Sequence, residues 1–130
     1  MKTQIEKHIP TACKVLQAYL KEKNKTLFPK EFKGYIAAFG PSVRMSGLLS
    51  TLAFYSATKG AKEDRAKVLQ WLCLILSDCG GSAVLFEEVC KRQGDAAFIR
   101  KTEHDLSHAV TALKLAFRTF PVEGDTQEND

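Results

Sequence analysis

The chain predicts an all-α fold, a single compact bundle of about five or six helices, and three observations carry that expectation. Leu, Ala and Lys outnumber Val, Thr and Gly, a balance that favours helix over strand. Apolar residues recur at helical spacing through long segments, with Gly and Pro gathered between them, and no stretch alternates in the manner of a strand. At 130 residues the chain has a one-domain length, enough to bury a core without metal or disulfide support.

Taken in order, residues 3–24 place Ile5, Ile9, Ala12, Val15, Leu16 and Tyr19 on one helical face, interrupted near the start by Pro10. A polar stretch, residues 21–26, reads as a turn. Residues 30–39 form a second helix with Phe32, Tyr35, Ile36 and Phe39 on one side and Pro29 near its start. Gly40 followed by Pro41 reads as a break, because a residue before proline avoids the α region.

A third helix is then expected to begin at Pro41, where a missing N–H has no intrahelical partner anyway. Met45, Leu48, Leu49, Leu52, Tyr55 and Ser56 follow helical spacing, so most of this face is expected to be core, as is Phe54, with Gly47, Ser50, Ala53 and Ala57 making a ridge of small residues. An interior glycine costs about 1 kcal/mol relative to alanine, so Gly47 calls for a reason, such as close approach of another backbone.

Residues 58–62 read as a loop into a fourth helix carrying Val68, Leu69, Leu72, Ile75 and Leu76. Gly80-Gly81 ends it, and Ser82 is placed to cap a fifth helix with Val84, Leu85 and Val89. The Gln93-Gly94-Asp95 turn admits a last long helix with Ile99, Thr102, Leu106, Ala109, Val110, Leu113, Phe117 and Phe120, ended by Pro121. The domain is expected to span residues 1–121, and residues 122–130 an acidic, disordered tail.

Net charge is +4, unevenly spread. Residues 1–121 hold 19 basic against 11 acidic side chains, a net +8, whereas the tail holds Glu123, Asp125, Glu128 and Asp130 and no base. A basic body favours polyanion contacts. The N-terminus lacks an apolar signal region and the longest apolar run, residues 71–76, is too short to cross a bilayer, so a cytoplasmic location is expected. Cys13, Cys73, Cys79 and Cys90 form no Cys-x-x-Cys pair and read as reduced, structural thiols.

Motifs for an enzyme are missing: no phosphate-binding glycine loop, dinucleotide fingerprint or nucleophile elbow occurs. Glu63-Asp64 and Glu87-Glu88 are adjacent pairs, which point about 100° apart on a helix and read as solvated faces. His104 and His108 share a helical face, yet no third ligand completes a zinc pattern, so neither metal nor cofactor is expected. The basic residues are more pointed. Arg44 in the first turn of a third helix, and Lys59 and Lys62 at the start of the fourth, would set long cations beside free backbone N–H groups, an arrangement that suits phosphates. Arg100, Lys101, Lys114 and Arg118 add charge to the last helix, but spacing does not place them beside Arg44.

Residues 41–59, Pro-Ser-Val-Arg-Met-Ser-Gly-Leu-Leu-Ser-Thr-Leu-Ala-Phe-Tyr through to Lys59, resemble the signature of the small subunit of type III-B CRISPR effector complexes, the Cmr complex. The matching positions are Pro41, Gly47, Leu48, Leu52, Ala53, Phe54 and Lys59. Thr102-Glu103 and residues 112–117 resemble that family's C-terminal elements more loosely. Ser46 departs from an asparagine usual there, and residues 77–95 match no motif.

The resemblance implies a non-catalytic subunit. It stacks into a short filament beside the backbone subunits that hold the guide RNA, near a large subunit, with a basic face toward the target RNA. Arg44, Lys59, Lys62 and Arg65 are then the candidates for RNA-backbone contact without base reading, although Arg65 also continues the apolar stripe of the fourth helix. Two alternatives stand beside this: a helical protein–protein adaptor without RNA contact, and a small subunit of another CRISPR subtype.

Overall fold

A computed structural model of the chain describes residues 2–56, 63–76 and 81–123. Six helices follow one another: α1 (Lys2–Lys23), α2 (Glu31–Ser46), α3 (Leu48–Ser56), α4 (Glu63–Leu76), α5 (Ser82–Lys91) and α6 (Ala96–Phe117). The α1 and α6 helices pack along each other, α2 and α4 lie against α6, and α3 bridges α2, α4 and α5. Among the described residues there is no strand, and a lone bridge joins Phe28 to Val122. The fold is the expected all-α bundle.

Its densest packing lies at one end. Tyr19 stacks on Phe28 with ring centroids 5.5 Å apart, while Phe32 and Trp71 meet Tyr19 edge-on at 5.4 Å each. Phe28, on the connection between α1 and α2, also contacts Phe117 at 5.0 Å and Phe120 at 5.6 Å. Offset and edge-to-face pairs of this kind add to the energy of burying the rings. The backbone fixes Phe28 in place: its N–H donates to Pro121 O at 3.0 Å, and Glu123 N–H donates to Phe28 O at 2.9 Å. Val122, expected to begin the disordered tail, is therefore buried against the body, and the packed chain runs on to Glu123.

Two prolines fail to break their helices. Pro10 sits inside α1 on its exposed side. Pro41 is inside α2, which runs through Gly40-Pro41 without interruption. An interior proline removes one i to i−4 bond and crowds the preceding turn. For Pro41 the bond forfeited is to Ala37 O, and both residues face outward, so solvent can satisfy that carbonyl. Meanwhile Phe32, Ile36 and Phe39 bury the opposite face, and this burial keeps the helix running.

The break comes six residues later, at Gly47, with φ 96° and ψ 160°. Its N–H donates to Val43 O at 3.0 Å to close α2, and its carbonyl accepts Thr51 N–H at 3.1 Å to open α3. A Cβ placed on Gly47 would meet nothing within 4 Å, so close helix packing is not its role. The glycine supplies a backbone conformation that other residues avoid.

Moving the break resets which side chains face inward. Leu48, Thr51, Leu52 and Tyr55 are buried on α3, whereas Met45, at the end of α2, is 86% exposed and Phe54 is 54% exposed, contrary to their expected core roles. The corner between α2 and α3 is tied by Ser42 Oγ and Thr51 Oγ1 at 2.7 Å and by Tyr55 OH donating to Tyr35 O at 2.6 Å. Gly81, not Ser82, caps α5, with no side-chain bond. Asp95 caps α6 by accepting Phe98 N–H at 3.1 Å. That helix ends at Phe117, ahead of Pro121.

Candidate nucleic-acid interface

Because α2 continues past Pro41, Arg44 lies in the last turn of α2 rather than the first turn of a helix. The dipole there is negative and favours a cation directly. The cup of free N–H groups expected around residues 41–44 is absent, since those groups belong to the helix interior. Arg44 instead folds over Gly40: its Nη1 would be 3.9 Å from a Cβ at that position. That is an ordinary van der Waals distance, so an alanine would fit beneath the guanidinium as well.

Arg44 lines a cleft of about 440 Å³ between α2 and α6. Arg100, Glu103, His104 and Ser107 line it from α6, over a floor that includes Phe39, Val43, Leu106 and Val110. The structure thus brings Arg100 to Arg44 across 56 positions of sequence. Only the shared helical face of Arg100, His104 and Ser107 hinted that these three act together.

The charge balance of this cleft is unusual for the surface around it. Lys91 is 4.0 Å from Glu87, Arg92 is 3.7 Å from Glu88 and 3.0 Å from Asp95, and Lys101 is 2.7 Å from Asp105. Phe98 N–H, and next Arg92, hold the Asp95 carboxyl below its ordinary range. Among the described residues, by contrast, no carboxylate pairs with Arg44 or Arg100. Exposed pairs contribute little to stability; within the cleft itself Glu103 is the carboxylate that faces the two guanidinia, so its lining carries a small positive excess.

Arg65 occupies a different feature. Its guanidinium lies 4.0 Å from the centre of the Phe54 ring and 6.0 Å from that of Tyr35, and its Nε is buried without a hydrogen-bond partner. Phe54 is thus half exposed while its ring packs on the Arg65 guanidinium, a cation–π contact that desolvation strengthens. Lys59 and Lys62 lie outside the described residues, as do Cys79 and the Gly80 break. Of the signature positions, Leu48 and Leu52 are buried, Gly47 is the hinge, and Pro41, Ala53 and Phe54 face outward.

His104 and His108 sit with ring centroids 4.3 Å apart. Burial, and next the His104 charge, hold His108 below the usual imidazole range. Among the described residues no group of three His, Cys, Asp or Glu could hold a metal ion. Cys13 and Cys90 are free thiols, and Cys73 is buried in the core. No helix among the described residues is long and apolar enough to cross a membrane.

The described residues thus form a small all-α bundle with a polar cleft lined by two arginines and one glutamate. The family model described as CRISPR-associated protein (Cas_Cmr5) matches residues 8–119, from α1 to the turn after α6. The chain belongs to this family, the small subunit of the type III-B CRISPR effector complex, where it works among other subunits as a structural component. No curated protein and no solved structure matches the chain.

Proposed function

We propose that this subunit stacks with further copies of itself beside the backbone subunits that hold the guide RNA, and near the large subunit, supporting target-RNA binding in antiviral defence. It acts in the cytoplasm and contributes no catalytic group. The observation that carries the reading is the family match over residues 8–119, and the net +8 on residues 1–121 agrees with it. Arg44, Lys59, Lys62 and Arg65 contact phosphates without reading bases, because pairing with the guide supplies sequence. Arg100 joins them through the cleft it shares with Arg44.

The test is an effector complex assembled with Arg44→Glu/Arg100→Glu or Lys59→Glu/Lys62→Glu subunits, with target-RNA retention followed through a salt titration. Each phosphate-binding side chain removed should weaken retention and flatten the logarithmic salt slope by roughly 0.7 to 0.9, so each double variant should flatten it by about twice that. Full assembly with unchanged retention and slope in both variants would sink the RNA assignment. It would leave the adaptor role without RNA contact.

A further inference from the structure

The α2–α6 cleft shares a wall with the histidine pair of α6. Arg100, Glu103, His104 and Ser107 follow one another along a single face of that helix and line the cleft, with Arg44 opposite them on α2. His108 comes one turn after His104, and the two imidazoles meet edge to face with centroids 4.3 Å apart. Their surroundings differ. His104 is exposed at the rim of the cleft, whereas His108 is partly covered and does not line it.

Two imidazolium rings this close repel one another, so the pair takes up its first proton more readily than its second. Solvation decides which ring receives it. Burial disfavours the charged form of an imidazole, and burial, followed by the His104 charge, holds His108 below the usual range. The remaining charges around His108 act in both directions: the amino terminus and His8 of α1 oppose its protonation, while Asp105 favours it. Asp105 is itself engaged by Lys101 at 2.7 Å. The first proton therefore settles on His104, the ring that opens into the cleft.

There it changes the charge that an anion meets. Two guanidinia and one carboxylate give the lining a net +1, and a protonated His104 doubles it. Of these groups an imidazole alone ordinarily changes charge between about pH 5 and 8. A bound phosphate favours the imidazolium, and by linkage the imidazolium favours the phosphate to the same degree.

We infer that His104 is a proton-linked contact of the cleft, joining Arg44 and Arg100 on RNA phosphates when protonated, so that RNA binding strengthens as pH falls from about 8 to about 6. The inference rests on the reading of the cleft as a phosphate contact. His108 contributes by leaving the first proton to its neighbour.

The test uses the assembled effector complex, with target-RNA retention followed through salt titrations at about pH 6 and about pH 8. Phosphodiesters do not change charge between these values. In wild type, one added phosphate contact for each engaged copy should steepen the logarithmic salt slope by roughly 0.7 to 0.9 at the lower pH. Retention should rise by about threefold, the size of one exposed ion pair. His104→Gln should abolish the change in slope, and His108→Gln, which keeps the ring facing the cleft, should retain it. Titratable groups elsewhere in the complex respond alike in every variant, so the comparison isolates this site. Parallel pH responses in wild type and His104→Gln, with Arg44→Glu/Arg100→Glu still weakening retention, overturn the inference and leave the RNA reading standing. Loss of the slope change in His108→Gln overturns it too, because the response would then depend on the covered ring. Unchanged retention in Arg44→Glu/Arg100→Glu at both pH values removes the phosphate reading of the cleft and this inference with it.

Discussion

The two ends of the α2–α6 pair solve opposite problems with the same helices. At one end Tyr19, Phe32, Trp71, Phe117 and Phe120 surround Phe28, whose backbone is held by both Pro121 and Glu123. At the other, Gly47 turns the chain, Met45 projects into water, and Arg44 and Arg100 line a cleft with Glu103, forming no ion pair among the described residues. Aromatic burial concentrates stability at the first end. This leaves the second free to carry two arginines against one glutamate, an excess that stabilises a monomer very little and suits an anionic partner.

The sharpest way to break this comparison is to remove a buried ring and an exposed side chain in parallel. Phe28→Ala deletes the ring at the centre of the aromatic end and should cost about 3–5 kcal/mol in urea-induced unfolding. Met45→Ala should stay within about 0.5 kcal/mol. A Phe28→Ala effect near 1 kcal/mol would mean that stability is spread along the bundle and that the ends are not specialised.

Glycine substitutions probe the hinge of the open end at the next level of effect. Gly47→Ala should destabilise by about 1–3 kcal/mol, because φ 96° and ψ 160° lie where essentially glycine alone is at ease. No clash contributes, since a Cβ there meets nothing within 4 Å. Gly34, inside α2 and equally unobstructed, supplies the control: Gly34→Ala should stabilise by about 0.5–1 kcal/mol through helix propensity. Equal effects of the same sign would show that space, and not backbone conformation, governs Gly47.

The same glycine shows what the sequence disclosed and what it hid. Periodicity locates the stripes of α1, α4 and α6 well, because Leu16, Tyr19, Leu69, Leu72, Leu106 and Leu113 each face one continuous core. It also marks Gly47 as needing a reason. Close packing is the wrong reason, because it presupposes a helix that starts at Pro41 and runs through Gly47. Local stereochemistry favours a break at Gly40-Pro41, but Phe39 on the same turn is buried, and tertiary burial outweighs it. Shifting the break by six residues moves Arg44 from one end of a helix to the other and reverses the sign of its dipole environment. The partnership of Arg44 with Arg100 is beyond the reach of sequence, since it depends on how α2 and α6 cross and on no spacing along either. Lys59 and Lys62 lie outside the described residues, so their readings remain those of the sequence.

A smaller effect, and one that changes sign with pH, comes from the polar lock beneath the open end. Tyr55 packs on Phe39, which floors the cleft, with centroids 5.0 Å apart, and donates to Tyr35 O. Burial pushes its phenol up to about 12, with the Arg65 charge opposing and Tyr35 adding to the rise. An unfolded tyrosine titrates near 10, so the folded value is the higher one. The stabilisation is therefore fully present below about pH 10 and disappears as pH rises toward 12, at roughly 1.4 kcal/mol per pH unit. Tyr55→Phe removes both the hydrogen bond and this titration. The variant should be less stable than wild type by about 1 kcal/mol at neutral pH, and the two urea-unfolding profiles should converge and cross near pH 11 as wild type alone forfeits the tyrosine contribution. Parallel profiles through that range would show that Tyr55 ionises as readily when folded as when unfolded, and that the open end is wetter at its base than its buried hydroxyl implies.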